Sequence, residues 1–184
     1  PADWKGKSIG VTFGGNDEAI MRALLARYRI AENEVTLFSV RYDYTPFYEG
    51  RVAFWPLYLN AQAVIIGDKL AQAGEPFDVI SPDRLGVKFV ANSVVTTREM
   101  LEKHPDTVAR FLAALRQGWQ AALDPQNEEQ AVQVLLQMDR ETPAAVVRRQ
   151  LAVTRELMLP APGTAFGTID TDAWKQTAQL MAAQ

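Results

Sequence analysis

The sequence predicts an α/β protein whose first half alternates strands with helices and whose second half is almost entirely helical. Apolar residues recur at strand spacing and then at helix spacing in turn up to about residue 95, with glycines and prolines between the segments. Beyond that point helix spacing alone continues. Alternating strands and helices are typical of a parallel sheet with helices on both faces.

The chain is organised around a strand, a glycine turn and a helix near its beginning. Residues 8–13 alternate apolar and small or polar side chains, so we predict a strand there. Gly14 and Gly15 permit a sharp turn, and Asn16 suits the cap of a helix whose first turn contains Asp17. Such a turn leaves backbone N–H groups free for an anion or a polar ligand, although the acidic first turn disfavours phosphate. The alternative is a tight turn that binds nothing.

The remaining elements follow from the same patterns. We predict further strands at 35–40, 52–55, 77–80 and 87–96. Helices are predicted at 46–49, 61–73 and 128–138, and others begin near residues 97, 105, 142 and 170. In the helices at 61–73 and 128–138 the residues expected to face inward are Val64, Ile65, Leu70, Ala71, Ala131, Val134, Leu135 and Met138.

Composition excludes several classes of function. The 184 residues are 48% hydrophobic and 22% charged, which is typical of a globular chain long enough for one domain or two small lobes. A net charge of −3 does not favour nucleic acid as a partner. The absence of cysteine excludes disulfides and thiolate metal sites, and a single histidine excludes a histidine cluster. Because the chain begins at Pro1 without a signal peptide, we expect that an upstream segment has been removed.

No group of residues forms a recognisable catalytic set, so we predict no catalytic residues, no metal and no cofactor. His104 directly precedes Pro105 at a helix start, which is the usual place of a surface histidine. Acidic residues such as Glu18 and Glu49 could form carboxylate pairs with nearby aspartates, but they more often lie in helix first turns and solvated loops.

The predicted ligand site lies where the first three strands end. In an open parallel sheet, ligands bind beyond the carboxyl ends of the strands. Backbone amides, rings, an amide side chain, a cation and carboxylates meet there, which suits a flat heterocycle or a small polar molecule. The candidates are Gly14, Gly15, Asn16, Asp17, Arg41, Asp43, Tyr44, Trp55, Tyr58 and Asn60. The alternatives are that Trp55 and Tyr58 pack in the core and that Arg41 and Asp43 form a surface ion pair.

Several segments, in order, resemble one family over nearly the whole chain. They are Asp-Trp-Lys-Gly-Lys-Ser-Ile-Gly-Val at 3–11, the Gly-Gly turn, Thr-Pro-Phe-Tyr-Glu-Gly-Arg-Val at 45–52 and His-Pro-Asp-Thr-Val-Ala-Arg-Phe-Leu-Ala-Ala-Leu-Arg-Gln-Gly-Trp at 104–119. Together they resemble the periplasmic solute-binding proteins that serve ABC importers of thiamine pyrimidine precursors, sulfonates and nitrate. That resemblance implies a type II binding-protein fold, in which two α/β lobes close on a ligand like a Venus flytrap.

The resemblance also implies a domain division and a cellular role. Residues 1–95 would be the ligand-binding second lobe, ending in a hinge strand at 87–96, and residues 96–184 would be the helical part of the other lobe. Residues 14–16 and 55–60 match ligand-facing loops. The protein would be exported to the periplasm or cell surface, would bind a small-molecule solute and would deliver it to an ABC permease.

The sequence departs from this family in three places. Ala53-Phe54 replaces the Asp-Ala of the usual Gly-x-Val-Asp-Ala segment, and Ala61-Gln62 replaces the Glu-Pro of Asn-Glu-Pro, which disfavours a pyrimidine ligand. The family also has roughly a hundred further residues before the segment that matches Asp3, a typical size for part of a lobe. We therefore expect a missing lobe, a separate chain or a symmetry-related copy to cover the C-terminal helices.

Two other functions fit the same resemblance. The chain could be the ligand-sensing domain of a signalling receptor, which a transmembrane segment or kinase module upstream would indicate. It could also be an enzyme similar to the thiamine-pyrimidine synthases of this fold. Those enzymes need reactive cysteines and a lysine that holds a cofactor, so the absence of cysteine disfavours this interpretation.

Overall fold

The computed structural model of the chain describes residues 2–41, 43–159 and 163–182. Of these residues, 2–57, 70–92 and 170–182 form one compact unit, and 58–69 and 93–169 form a second. The helices are α1 (Asn16–Arg27), α2 (Thr45–Tyr48), α3 (Gln62–Ala73), α4 (Arg98–Lys103), α5 (Pro105–Leu123), α6 (Glu128–Met138), α7 (Ala144–Met158) and α8 (Thr171–Ala182). The assignment of 1–95 and 96–184 to two lobes of a binding protein stays a prediction.

The sheet of the first unit is small and parallel. Strand β1 (Ser8–Val11) pairs with β2 (Thr36–Ser39), with Ser8 opposite Thr36. On the other side of β1, Ile9 forms a single parallel bridge to Phe54. The predicted strand at 52–55 is therefore reduced to one bridging residue, and β1 lies in the middle.

Gly10 allows the third segment to approach β1 closely. Its N–H donates to the Phe54 carbonyl at 2.8 Å. A Cβ atom at this position would lie 2.8 Å from Val40 Cγ1 and 3.1 Å from the Phe54 carbonyl oxygen. Because any side chain would push these neighbours apart, glycine is required in the centre of this sheet.

The core of the first unit surrounds β1 and α1. Ile9, Leu24 and Leu25 are almost completely buried there, and the Trp4 ring packs on the Phe54 ring with centroids 5.6 Å apart. Burial of these side chains is the main source of stability for so small a sheet. The predicted alternation of Ile9 and Val11 toward the core is confirmed, whereas Phe13 lies beyond the strand and is 54% exposed.

The predicted strands at 77–80 and 87–96 are wrong. Neither segment pairs with another strand among the described residues, and Phe77, Val79 and Ile80 are exposed. In the second segment, the Val90 N–H donates to Thr177 Oγ1 at 2.8 Å, and the Lys88 N–H donates to Gln176 Oε1. Side chains of α8 thus accept hydrogen bonds that a neighbouring strand would otherwise accept, and apolar alternation alone cannot reveal whether such a strand is present.

The starts of α4, α5 and α8 and the end of α3 follow local sequence signals. Thr97 Oγ1 accepts the Met100 N–H at 3.1 Å, and Asp170 Oδ1 accepts the Ala173 N–H at 2.9 Å. Pro105 is the first residue of α5, and Gly74 follows α3 with a φ of +71°. No helix among the described residues has the length and apolar character needed to cross a membrane.

The core of the second unit lies between α5, α6 and α7. Leu123, Val132, Val147 and Leu151 form its buried cluster. The Arg155 guanidinium closes one side by donating from Nε to the Leu123 carbonyl at 2.6 Å. This bond satisfies a carbonyl at the end of α5, where no partner within the helix is left.

The predicted inward faces of two helices are partly wrong. In α6 the buried residue is Val132, whereas Val134, Leu135 and Met138 are 55%, 45% and 86% exposed. Helix α6 has two apolar stripes at helical spacing. Its neighbours α5 and α7 pack on the stripe that contains Val132 and not on the predicted stripe. In α3 the prediction is confirmed for Val64 and Leu70, which are buried. It is wrong for Ile65 and Ala71, which are exposed, and Ile66 is buried instead.

Candidate ligand-binding site at the ends of the parallel strands

Three segments of the first unit leave the sheet at one edge. Because β1, β2 and the Phe54 segment are parallel, the residues after each of them emerge at the same end. These residues are the glycine turn at 12–17, the loop at 40–44 and the segment at 55–57. Tyr42 lies outside the described residues.

The backbone N–H groups of the glycine turn are bound by carboxylates of the same helix. The Thr12 N–H donates to Asp17 Oδ2 at 2.6 Å, and the Gly14 N–H donates to Glu18 Oε2 at 2.7 Å. The Gly15 N–H donates to the Thr12 carbonyl at 2.7 Å. The expectation of a turn with free N–H groups is therefore wrong for these three donors, and an anion would have to displace Asp17 or Glu18 to reach them.

Glu18 is held firmly in this arrangement. The Gly14 N–H and the Arg22 side chain both stabilise its charged form and lower its pKa, and its side chain is only 13% exposed. Arg22 also forms an ion pair with Glu32. The carboxylates of Glu32 and Glu18 both raise the pKa of the Arg22 guanidinium. The carboxylates in the first turn of α1 therefore connect this helix to the glycine turn by hydrogen bonds.

The start of α1 differs from the predicted cap. The structure has Gly15 at the cap position in extended backbone, with Asn16 as the first helical residue and exposed. Asp17 and Glu18 replace an Asn16 cap because they reach backward to the turn. Asn16 is therefore free of the capping role predicted for it.

Asp43 has a local structural role. Its Oδ1 accepts the Thr45 N–H at 3.0 Å at the start of α2, and the Thr45 hydroxyl and N–H lower its pKa, with a smaller contribution from the charge of Arg51. Arg41 is exposed, and among the described residues it forms no ion pair with Asp43 or with any other carboxylate. The alternative of a surface ion pair between Arg41 and Asp43 is therefore wrong.

Two of the predicted rings lie together at this edge. Tyr44 and Trp55 have ring centroids 5.5 Å apart, and the Phe47 ring centroid lies 6.1 Å from that of Trp55. Tyr44 and Trp55 are both half-buried, so part of each ring remains accessible. Sequence reasoning did not name Phe47, although its place two residues after Thr45 in a short helix makes the contact understandable.

Tyr58 and Asn60 belong to the second unit. Tyr58 is 51% exposed, so the alternative of core packing is wrong for this residue. Asn60 donates from Nδ2 to Thr154 Oγ1 at 3.1 Å, and Thr154 in turn donates to the Gln150 carbonyl at 2.7 Å. The other eight predicted site residues lie in the first unit. The ligand-binding role of all ten stays a prediction.

The second unit contains a large groove that sequence reasoning did not identify as a site. It has a volume of about 810 Å³ and lies between α5, α6 and α7, with Asn60 on its wall. Leu115, Trp119, Val134 and Leu135 make it largely apolar, and none of the described residues that line it is charged. We call it the α5–α7 groove. The one signal in the sequence is that apolar residues recur at helix spacing from Val108 to Ala122, which indicates an apolar helix face but not a groove.

The described residues contain no group of three or more histidine, aspartate or glutamate side chains suited to a metal ion. The acidic residues of the site edge are engaged instead in hydrogen bonds to backbone N–H groups. The arrangement can therefore provide ring contacts and polar contacts for a ligand.

Comparison with known proteins identifies the family. No curated protein matches the chain significantly. The family model described as NMT1/THI5 like matches residues 1–129, which include the whole glycine turn and the 41–60 region. This match supports the predicted relationship to solute-binding proteins of the sulfonate, nitrate and thiamine-precursor type. The chain belongs to the NMT1/THI5-like family.

Proposed function

We propose that this protein captures a small polar or heterocyclic solute in a cleft between two lobes and delivers it to an ABC importer. The observation that supports the proposal is the NMT1/THI5-like match over residues 1–129. Proteins of this solute-binding type are typically exported to the periplasm, and we propose the same location and a permease partner for this chain.

We assign a role to each predicted side chain according to the hydrogen bonds and ion pairs that it already forms. Tyr44 and Trp55 supply partly accessible rings, on which a flat ligand can stack. Arg41 supplies a cation with unused donors, because it forms no ion pair among the described residues. Asp17 and Asp43 already accept backbone N–H groups, so we propose that they shape the site rather than hold the solute.

Closure would couple binding to delivery. In a two-lobed protein, a ligand favours the closed form only through contacts that it makes to both lobes. The ligand-binding role that we propose for Tyr58 and Asn60 rests on the resemblance of residues 55–60 to a ligand-facing loop of this family.

The test is a ligand panel on the full-length protein. Aminopyrimidines, sulfonates and flavin-like compounds are compared by thermal shift, and each compound that responds is titrated by calorimetry. For any ligand found, we expect Trp55→Leu to weaken binding about tenfold or more, because the stacked ring is lost. Trp174→Leu is the matched control, since Trp174 is 42% exposed on α8.

Two results would contradict the proposal. One is the absence of a response to every compound in the panel. The other is equal weakening by Trp55→Leu and Trp174→Leu, which would show that the ring at the strand edge makes no contact with the solute.

We also propose that a missing lobe, a separate chain or a symmetry-related copy covers the C-terminal helices. The exposure of Val134, Leu135 and Met138 supports this part of the proposal, because apolar side chains on one helical face are usually buried.

A further inference from the structure

Two carboxylates of the chain occupy the N–H groups that an anion would use at the glycine turn. A turn between a strand and a helix normally attracts anions, because its N–H groups and the helix dipole both favour negative charge. Here Asp17 Oδ2 accepts the Thr12 N–H at 2.6 Å, and Glu18 Oε2 accepts the Gly14 N–H at 2.7 Å. The protein therefore places its own negative charge at this turn.

Both carboxylates are held in place by more than one contact. Glu18 also accepts a hydrogen bond from Arg22 Nε at 3.0 Å, and the Gly14 and Arg22 donors lower its pKa, so Glu18 is ionised at neutral pH. Asp17 Oδ1 lies only 2.6 Å from the position that a Cβ atom on residue 15 would take, so glycine there lets the carboxylate approach the turn. A solute anion would have to break these contacts before it reached the N–H groups.

The three segments at this edge contain more negative than positive side chains. In residues 12–18, 40–44 and 55–57, the charged side chains are Asp17, Glu18, Asp43 and Arg41. The charge of Arg22 does not offset this excess, because Arg22 pairs with Glu32 as well as with Glu18. A site with an excess of carboxylates repels anions and attracts neutral or positively charged groups.

We propose that Asp17 and Glu18 select the solute by its charge: the glycine turn admits a neutral or positively charged group and excludes phosphate, sulfonate and carboxylate groups. This inference rests on the proposed function and narrows its solute class. A carboxylate oxygen accepts more than one hydrogen bond, so the turn can still receive an amino group of the solute. The donors of Arg41 remain available for a carbonyl oxygen or a ring nitrogen.

Inorganic sulfate tests the turn without knowledge of the natural solute. In the full-length protein, we expect sulfate to leave the amide resonances of Thr12 and Gly14 unchanged. The double variant Asp17→Asn, Glu18→Gln keeps an oxygen acceptor for each N–H group but removes two negative charges. Sulfate should therefore bind at the turn of this variant at least about tenfold more tightly than at the wild-type turn.

Two further variants separate this effect from net charge and from a change at Arg22. Glu75→Gln combined with Asp78→Asn removes the same two charges from exposed residues of the first unit, and it should not increase sulfate binding at the turn. Asp17→Asn alone leaves the pair of Glu18 with Arg22 intact and should give part of the gain. Far-UV circular dichroism verifies that each variant is folded.

Paired solutes test the selection itself. Each aromatic sulfonate of the ligand panel is compared by calorimetry with the corresponding sulfonamide, which has nearly the same shape but no charge at neutral pH. We expect the wild-type protein to bind the sulfonamide at least about tenfold more tightly, because only the sulfonate is repelled by the carboxylates of the turn. The double variant should lose most of this preference.

Three results would overturn the inference. They are sulfate binding at the wild-type turn, a double variant that gains no more sulfate affinity than its control, and a sulfonate that the wild type binds as tightly as the sulfonamide. The third result would leave the proposed function intact, because a solute would still be bound. If no compound of the panel were bound, the proposed function would fail, and the sulfate titration would still decide whether the turn excludes anions.

Discussion

The strongest prediction about stability concerns the two faces of α6. Val132 is fully buried against Leu123, Val147 and Leu151, whereas Val134 is 55% exposed on the same helix. Replacing each valine in turn by alanine makes the same chemical change on opposite faces. Both substitutions also change helix propensity by the same amount, no more than about 0.7 kcal/mol in favour of alanine.

The expected difference follows from burial. Val132→Ala removes two buried methyl groups, which costs about 1.6 kcal/mol at about 0.8 kcal/mol for each carbon. The cavity left behind adds roughly another kilocalorie, so we expect a loss of about 2–3 kcal/mol in the free energy of unfolding. Val134→Ala should change this free energy by no more than about 0.7 kcal/mol, which is the size of the change in helix propensity.

Urea unfolding followed by far-UV circular dichroism measures both values. The protein concentration is kept low, because association through exposed apolar side chains would bury Val134. Hydrogen exchange of the α6 amides confirms which part of the chain opens, which matters because the chain has two units. The assignment of faces would be refuted if Val134→Ala destabilised the chain as much as Val132→Ala.

Three further predictions concern the turns and caps. Glu18→Gln removes the carboxylate that accepts the Gly14 N–H, and folding lowers the pKa of this carboxyl from 4.5. The wild-type protein should therefore have the larger free energy of unfolding above pH 4.5, and this difference should disappear as the pH falls through the folded-state pKa. A difference that grew at acid pH would contradict this prediction. Gly15→Ala would place a methyl group 2.6 Å from a carboxylate oxygen and 2.8 Å from a carbonyl oxygen, so we expect a loss of about 1–3 kcal/mol in thermal or urea unfolding, and a neutral effect would show that the turn adapts. Thr97→Ala removes the side chain that accepts the Met100 N–H and should cost about 1 kcal/mol, measured in the same way; no change would mean that water replaces this cap.

Local signals in the sequence were sufficient to predict most helices. Thr97, Pro105 and Asp170 mark helix starts because each satisfies or tolerates the N–H groups that a first turn leaves free. Gly74 marks a helix end because its φ is positive. These signals act within four or five residues, so the correct answer does not depend on the rest of the fold.

Strands and buried faces were harder to predict because they depend on distant partners. The segment at 87–96 has the alternation of a strand, yet its Val90 N–H finds a threonine of α8 at position 177. Val134 and Val132 are equally apolar, and only the packing of α5 and α7 decides which one is buried.

The candidate site shows the same division between local and distant information. The sequence identified the three segments that leave one edge of the sheet, because parallel strands end together. It did not reveal that Asp17 and Glu18 would turn back onto the glycine turn, since this depends on the rotamers of two side chains. The contact of Tyr44 with Trp55 joins two loops and required the sheet to be in place.

The position of α8 has a consequence for how the first unit is made. Residues 2–57 and 70–92 emerge from the ribosome well before residues 170–182, yet Leu180 packs on their core and Gln176 and Thr177 bond their backbone. During synthesis the first unit therefore cannot complete its core until more than seventy residues of the other unit have been added. Closing a loop of that length slows folding, so the interval before release is when this chain is most open to chaperones and proteases.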